Sequence, residues 1–216
     1  PSIERKKMAI KKIYDRSIGI KNLLNASVLV ALTEVEKEQF RQLVGNDATV
    51  RIIPNGIDLT EYSNLPQRGL FKRECNLKED DKIILFLGRI NRIKGIDFLI
   101  KSFSQLSKEI QNIKLVIAGP DDGYLDQVQE IVIQENISEG IIFTGPLYGE
   151  KKLEAYTDAD VFILPSRYET FPNTVLEASA CKVPVIMTDT CGIAKVFNSQ
   201  DCVVPFGDVY LLKEKM

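Results

Sequence analysis

After Lys82 the sequence alternates regularly between short apolar runs and amphipathic segments, and this pattern constrains the fold more than any other feature. Strands that alternate with helices predict an α/β fold, a Rossmann-like doubly wound parallel sheet with right-handed crossovers and helices on both faces. The predicted strands are Ile83–Leu87, Lys114–Ala118, Ile141–Thr144, Val161–Leu164, Val183–Met187 and Cys202–Val204. The predicted helices are Gly95–Leu106, Leu125–Gln134, Gly149–Thr157 and Asn173–Ala180.

The first part of the chain has shorter elements and predicts a separate domain. Thr33 and Glu36 have the spacing of a capping box, which marks the start of a helix that runs to about Val44. The predicted strands on either side of this helix are Ala26–Leu32 and Val50–Ile53. After the turn signal Pro54-Asn55-Gly56, residues 57–75 show little periodicity. We therefore predict a domain remnant at 1–57, a linker at 58–81 and the Rossmann-like domain at 82–216.

Composition excludes several classes of function. The net charge of −2 argues against a general nucleic-acid binder. The chain has no histidine and its four cysteines form no C-x-x-C, so neither a zinc site nor a histidine-based catalytic dyad is expected. Reduced, partly buried cysteines suit the cytosol, and the sequence contains no apolar run long enough for a transmembrane helix. Because the chain begins at Pro1, we expect it to be a fragment of a longer protein.

The segment Pro1–Asn25 has a helical pattern and carries many cations. A solvated helix face packed on a neighbouring domain is the favoured interpretation. A peripheral contact with anionic lipid or with an acidic partner is the alternative.

The stretch from Val161 to Met187 predicts a binding unit of strand, loop, short helix and strand. The loop leaves the carboxyl end of a parallel strand, where open α/β sheets bind ligands, and the helix N-terminus favours an anion. Glu169 in the loop and Glu177 in the helix can contact hydroxyl groups on either side of a bound phosphate. Each also has a simpler interpretation. Glu169 fits a solvated loop acid, and Thr174 with Glu177 fits a capping box.

The loop after the first strand of the sheet joins two glycines and two cations, Gly88-Arg89 and Lys94-Gly95. Glycine lets the backbone approach a ligand closely, and the cations can neutralise a diphosphate. The loop lacks both the G-x-G-x-x-G fingerprint and the P-loop motif, which argues against a dehydrogenase and a P-loop ATPase. Gly119-Pro120-Asp121-Asp122-Gly123 reaches the same sheet edge, although it also fits a simple turn. Asp158-Ala159-Asp160 precedes a strand at the opposite edge, and we interpret it as solvation of the strand entry.

Together these motifs resemble the family-4 retaining glycosyltransferases of GT-B fold, known as glycosyl transferases group 1. The resemblance extends from about Ala26 to the C-terminus. It rests on Ile53-Pro54-Asn55-Gly56-Ile57-Asp58, Gly88-Arg89, Lys94-Gly95, Val161–Ser166, Glu169-Thr170-Phe171-Pro172-Asn173 and Glu177-Ala178. It implies transfer of a hexosyl group from a nucleotide-diphosphate sugar to a glycan or lipid-linked acceptor, with retention of configuration, as in polysaccharide biosynthesis.

The resemblance also implies residue roles. Arg89 and Lys94 would hold the diphosphate, Glu169 would contact the sugar, and these three would act in catalysis. Glu177 would bind the ribose, and the strand end at Phe143-Thr144-Gly145 would lie near the base. The residues implied to contact the nucleotide sugar are Gly88, Arg89, Lys94, Phe143, Thr144, Glu169, Phe171, Pro172, Asn173, Thr174, Val175 and Glu177.

In such enzymes cations and amides, not a metal cofactor, stabilise the leaving diphosphate. The acceptor site would belong to an N-terminal domain that is mostly missing, and the C-terminal helices look shortened, so the fragment by itself is expected to be inactive. Two alternatives stay open, a nucleotide-binding module without transferase activity and a nucleotide-sugar epimerase of similar fold.

Overall fold

A computed structural model describes residues 18–197 and 201–216. The chain divides into two compact units, Pro1–Asn55 and Gly56–Met216. The basic helix predicted at Pro1–Asn25 lies for the most part outside the described residues.

In the first unit a helix covers one face of a parallel strand pair. Its elements are helix α1 (Ile20–Leu24), strand β1 (Leu29–Ala31), helix α2 (Glu34–Val44) and strand β2 (Val50–Ile52). The predicted cap is confirmed, because the Thr33 hydroxyl accepts from the amide of Glu36 at 3.2 Å. Glu36 in turn accepts from the amide of Leu32 at 2.6 Å. Strand β1 is shorter than predicted because only three of its residues face β2.

The second unit contains the predicted doubly wound parallel sheet. Its strands are β3 (Lys82–Leu87), β4 (Ile113–Ala118), β5 (Ile141–Gly145), β6 (Val161–Leu164), β7 (Val185–Thr188) and β8 (Val203–Val204). Their order across the sheet is β5-β4-β3-β6-β7-β8, and each neighbouring pair is parallel. The chain therefore winds outward in one direction from β3, returns, and winds in the other direction from β6.

Helices cover both faces of this sheet, as the alternation predicts. They are α3 (Leu70–Glu74), α4 (Ile96–Leu106), α5 (Leu125–Gln134), α6 (Gly149–Asp158), α7 (Asn173–Ala180) and α8 (Val209–Lys215). Alternate residues of β3 point into two separate apolar clusters, Ile83 and Leu85 into one and Ile84 and Phe86 into the other. Helices α3, α6 and α7 pack on the first face, and α4, α5 and α8 pack on the second.

The stretch 58–81, which the sequence suggests as a linker, belongs to the second unit in the structure. Tyr62, in a 3₁₀ helix (Leu59–Tyr62), and Phe71, in α3, are buried in the cluster below α6 and α7. Two large aromatic side chains in a core give this stretch a structural role that its weak periodicity does not reveal.

The aspartates before β6 act differently from the solvation that we predicted. Asp158 is fully buried, and its carboxylate accepts from the backbone amides of Gly69 and Lys72. It therefore caps the start of α3. Asp160 accepts from the amide of Ile83 at 2.9 Å and pairs with Arg68. Both lie at the amino end of the strands, as expected.

All four cysteines fall within the described residues, and all four are free thiols, as predicted. Burial raises the pKa of Cys181 and of Cys191 to about 11. Within the described ranges, no helix combines the length and the hydropathy needed to span a membrane.

Candidate functional site

The site predicted from the sequence lies where the winding of the sheet reverses. Strands β3 and β6 are neighbours although they are far apart in the chain. In open α/β sheets ligands bind beside the carboxyl ends of strands at such a switch point. The two loops that leave these ends are residues 88–95, after β3, and residues 165–172, after β6. We call them the β3 loop and the β6 loop.

A glycine lets the two loops touch. Gly95 has φ +65°, and a Cβ added there would lie 2.0 Å from the carbonyl oxygen of Pro165. A similar contact joins the next strand, since a Cβ on Gly119 would lie 1.8 Å from the carbonyl oxygen of Gly88. Glycine is therefore required at both places, and the ends of β3, β4 and β6 form one continuous surface.

An ion pair joins the two loops at this point. Lys94 of the β3 loop donates to a carboxylate oxygen of Glu169 in the β6 loop. The side chains are only 17% and 20% exposed, so solvent screens this pair less than a surface salt bridge. The structure thus brings together the lysine predicted for the diphosphate and the glutamate predicted for the sugar, and each charge neutralises the other.

Arg89 is also paired, but in a more exposed setting. Its guanidinium donates to Asp122 at 2.9 Å, and the Asn91 amide donates to the same carboxylate oxygen at 3.0 Å. The Arg89 side chain is 65% exposed. The neighbouring Asp121 accepts from three backbone amides, those of Gly123, Tyr124 and Leu125. These bonds, that of Leu125 foremost, lower the pKa of Asp121. The segment 119–123 is thus a turn that also supplies a partner to Arg89.

Arg167 also joins the β6 loop to the β3 loop. Its backbone amide donates to the carbonyl of Ile93 at 2.7 Å, and its Nε donates to the carbonyl of Arg92 at 3.1 Å. The guanidinium also pairs with Asp97 and lies 4.8 Å from the centroid of the Phe206 ring. These contacts join the backbones of the two loops just before Lys94 and Glu169.

Helix α7 begins where predicted, but its cap is different. Its N-cap residue is Pro172, and among the described residues no side chain caps it, so the predicted capping box of Thr174 with Glu177 is wrong. The leading amides of a helix have no intrahelical partner and point outward. Asn173 is exposed there and Thr174 is partly exposed, whereas Pro172 and Val175 are buried and Phe171 packs on the core. Glu177 lies in the second turn.

The carboxylate of Glu177 is held inside the protein by residues of α6. Lys152 donates to its Oε1 at 2.9 Å, and the Tyr156 hydroxyl donates to its Oε2 at 3.0 Å. The Glu177 side chain is 14% exposed. Burial, and then this carboxylate, raises the pKa of Tyr62 to about 12 and raises the pKa of Tyr156 as well. Glu177 thus contacts a different set of residues from Glu169.

A cavity of about 290 Å³ opens beside Arg89 at the ends of β3, β4 and β5. Its walls include Leu87, Arg89, Pro120, Pro146, Leu147 and Tyr148. The predicted base-contacting residues lie on β5 just before this cavity. Phe143 packs against the core of the α4 face, and Thr144 donates its hydroxyl to the carbonyl of Gly145 at 2.9 Å.

Several residues of the site were not predicted from the sequence: Tyr62, Asn91, Asp97, Asp122, Lys152, Tyr156 and Arg167. Most of them contact partners that are distant in the chain, and no local motif marks such pairs. One signal was present, because Lys152 and Tyr156 are four residues apart and therefore share a face of a helix.

Comparison with known proteins agrees with this architecture. Residues 67–216 match the sequence profile of the family described as glycosyl transferases group 1. An uncharacterised glycosyltransferase of Methanocaldococcus jannaschii, MJ1607, is 34% identical over 154 residues, which are 70% of this chain and 39% of that protein. The D-inositol 3-phosphate glycosyltransferase of Nocardia farcinica is 30% identical over 187 residues, 83% of this chain and 41% of that protein.

Among solved structures, the sucrose-phosphate synthase of Thermosynechococcus elongatus superimposes with a TM-score of 0.79 at 26% identity, covering 91% of this chain and 50% of that one. The chain thus spans 39% to 50% of the length of the proteins it resembles. Its parallel sheet has the fold of GT-B glycosyltransferases, and its sequence matches the family profile over most of its length. The chain belongs to the glycosyl transferases group 1 family.

Proposed function

We propose that this chain binds the nucleotide sugar in a retaining glycosyltransferase of family 4. The enzyme transfers a hexosyl group from a nucleotide-diphosphate sugar to a glycan or lipid-linked acceptor. The observation that carries the proposal is the Lys94–Glu169 pair, which stands at the switch point of the sheet beside the start of α7.

The pair supports this function because it supplies the two kinds of group that a nucleotide sugar needs. A diphosphate requires positive charge, and a sugar requires acceptors for its hydroxyl groups. When the ligand binds, Lys94 moves its hydrogen bonds from Glu169 to the diphosphate, and Glu169 is released to accept from the sugar. Arg89 exchanges Asp122 for the diphosphate in the same way.

The surroundings of the Lys94–Glu169 pair also favour a nucleotide sugar. The outward amides at the start of α7 add donors for phosphate or sugar oxygens. The cavity beside Arg89 has the size to take part of a nucleoside. We propose that these cations and amides stabilise the leaving diphosphate, and that binding does not require a divalent metal.

Thermal-shift and calorimetric titration of the 216-residue chain with a panel of nucleotide sugars tests the proposal. Nucleotide sugars that fit should raise the melting temperature, because a ligand that binds the folded state stabilises it by mass action. Their affinity should exceed that of the matching nucleoside diphosphate and should be the same with EDTA as with Mg²⁺. Equal affinity for sugar-bearing and bare nucleotides would instead support a nucleotide-binding module.

The identity of the acceptor is a separate proposal, because it concerns sugar transfer and not nucleotide-sugar binding. The relative from Nocardia farcinica is named a D-inositol 3-phosphate glycosyltransferase, which supports a small polar acceptor as one candidate. We expect residues outside the 216-residue chain to select the acceptor.

We also propose a cytoplasmic location, because free, partly buried cysteines are typical of the cytosol.

A further inference from the structure

We propose that Lys152 and Tyr156 are positioning residues that orient Glu177 toward a vicinal diol, the ribose of the bound nucleotide. The inference rests on the proposed function, because it assumes that a nucleotide binds at the switch point. It adds two residues of α6 to those that shape the site.

Hydrogen bonds from two residues of α6 fix the orientation of the Glu177 carboxylate. Lys152 and Tyr156 approach different oxygens, at 2.9 and 3.0 Å, and so hold the plane of the carboxylate. Tyr156 is fully buried, and its hydroxyl also lies 3.3 Å from the carbonyl oxygen of Thr174 in the first turn of α7. One phenol therefore touches both the glutamate and the backbone at the start of the helix.

The hydrogen-bonding capacity of Glu177 is only partly used by these donors. An ionised carboxylate offers about four lone-pair sites, and each oxygen here receives one donor. Each oxygen thus has a further site, and two adjacent oxygens of fixed orientation match two adjacent hydroxyl groups. The Lys152 charge also cancels the charge of Glu177, which would otherwise repel a diphosphate nearby.

A purely structural role for this network predicts a different result from a positioning role. If Lys152 and Tyr156 only stabilise the packing of α6 on α7, their loss weakens every ligand of the site equally. If they orient Glu177, their loss weakens ligands that carry the ribose hydroxyls more than ligands that lack them. A change in local charge acts on both ligands alike, so the ratio of the two affinities isolates the orientation.

The test is calorimetric titration of the 216-residue chain with UDP, GDP and ADP and with their 2′,3′-dideoxy forms. The wild type should bind one ribonucleotide about tenfold or more tightly than its dideoxy form, as expected for hydrogen bonds to a charged group. In Lys152→Met and in Tyr156→Phe this preference should fall by about threefold or more. Affinity for the dideoxy form should stay nearly constant in Tyr156→Phe. In Lys152→Met both affinities should fall, because the charge of Glu177 is no longer cancelled, but that of the ribonucleotide should fall further.

The chain offers a matched control one residue away. Lys151 lies on the same helix but is 52% exposed and pairs with Glu74 and Glu154 instead. Lys151→Met should keep the wild-type preference. Lys152→Arg, which retains a cation at the same place, should restore most of it.

Each outcome decides a separate point. A wild type that binds none of the three nucleotides overturns the proposed function at this site and the inference with it. A wild type that binds ribo and dideoxy forms equally overturns the inference alone, because the proposed function rests on the Lys94–Glu169 pair. A wild type that discriminates, with Lys152→Met and Tyr156→Phe discriminating equally well, overturns the positioning inference alone. Tyr156→Phe removes one oxygen atom, so it tests the inference even if Lys152→Met fails to fold.

Discussion

Glu169 and Glu177 frame the start of helix α7, and the fold holds their carboxylates in different ways. Glu169 lies in a loop, and its carboxylate has Lys94 as partner, a residue of another loop. Glu177 lies in a helix, and residues of a second helix approach both of its oxygens. The comparison suggests that the Lys94–Glu169 pair exchanges partners when a ligand binds, whereas the Glu177 network keeps its geometry throughout.

The largest expected effect is that of Gly95→Ala, which disrupts the contact between the β3 loop and the β6 loop. The added Cβ would overlap the carbonyl oxygen of Pro165, and the backbone has φ +65°. We expect the free energy of unfolding to fall by about 3 kcal/mol or more, of which the left-handed backbone accounts for about 1–2 kcal/mol. Urea denaturation measures this change. Gly123→Ala is the control, because its φ is +80° but nothing lies within 4 Å of the added Cβ. A loss there as large as at Gly95 would contradict the contact between the loops.

The next effect concerns binding. Lys94→Ala and Arg89→Ala should each weaken nucleotide-sugar binding by about 10- to 100-fold, the range of charge-assisted hydrogen bonds of about 1.5–3 kcal/mol. The loss at Arg89 should shrink more at high salt, because its side chain is 65% exposed and that of Lys94 is 17% exposed. Calorimetry at two salt concentrations measures both. Unchanged affinity in the two variants would show that the diphosphate binds elsewhere.

Substitution of the two glutamates should lower the free energy of unfolding by different amounts. Glu177→Gln leaves the Lys152 cation without its counter-charge inside the network, and we expect a loss of about 1–2 kcal/mol. Glu169→Gln breaks one ion pair between loops, and we expect about 1 kcal/mol or less. Chemical denaturation of the two variants side by side checks the order. If Glu169→Gln proved the more destabilising, the loop pair would be a structural bond and not an exchangeable one.

The smallest expected effect is a dependence of stability on alkaline pH. The pKa of Tyr62 is raised in the folded state to about 12, by burial and then by Glu177. A raised folded pKa means that this contribution to stability is complete below the unfolded pKa of about 10 and is lost as pH rises toward about 12. Tyr62→Phe cannot ionise, so its melting temperature should fall less than that of the wild type between about pH 8 and about pH 11. Parallel curves would mean that the folded state does not raise the pKa of Tyr62.

The local elements of this fold could be predicted from the sequence, and the contacts between them could not. Strand β6 and helix α7 begin and end at the predicted residues, because an apolar run and a helix after proline are local signals. Strand β7 starts later than predicted, at Val185, after Pro184, which has no amide proton for a ladder.

The site was predicted in part for the same reason. The alternation of strands and helices predicts the sheet edge, and it also predicts that Arg89, Lys94 and Glu169 lie beside that edge. The pairing of Lys94 with Glu169 depends on β3 lying next to β6, which no local pattern specifies. The sequence around Thr174 has the spacing of a cap, but Tyr156 and Lys152 draw Glu177 to α6 instead.

The central claim is that Glu169 recognises the sugar while it neutralises Lys94 in the free protein. The most direct test is the affinity of the wild type and of Glu169→Ala for a nucleotide sugar and for its bare nucleoside diphosphate, by calorimetry. We predict that Glu169→Ala narrows or abolishes the preference for the nucleotide sugar. The bare diphosphate should bind as tightly as before or more tightly, because Lys94 is freed. An unchanged preference in Glu169→Ala, with both ligands bound as in the wild type, would contradict the account.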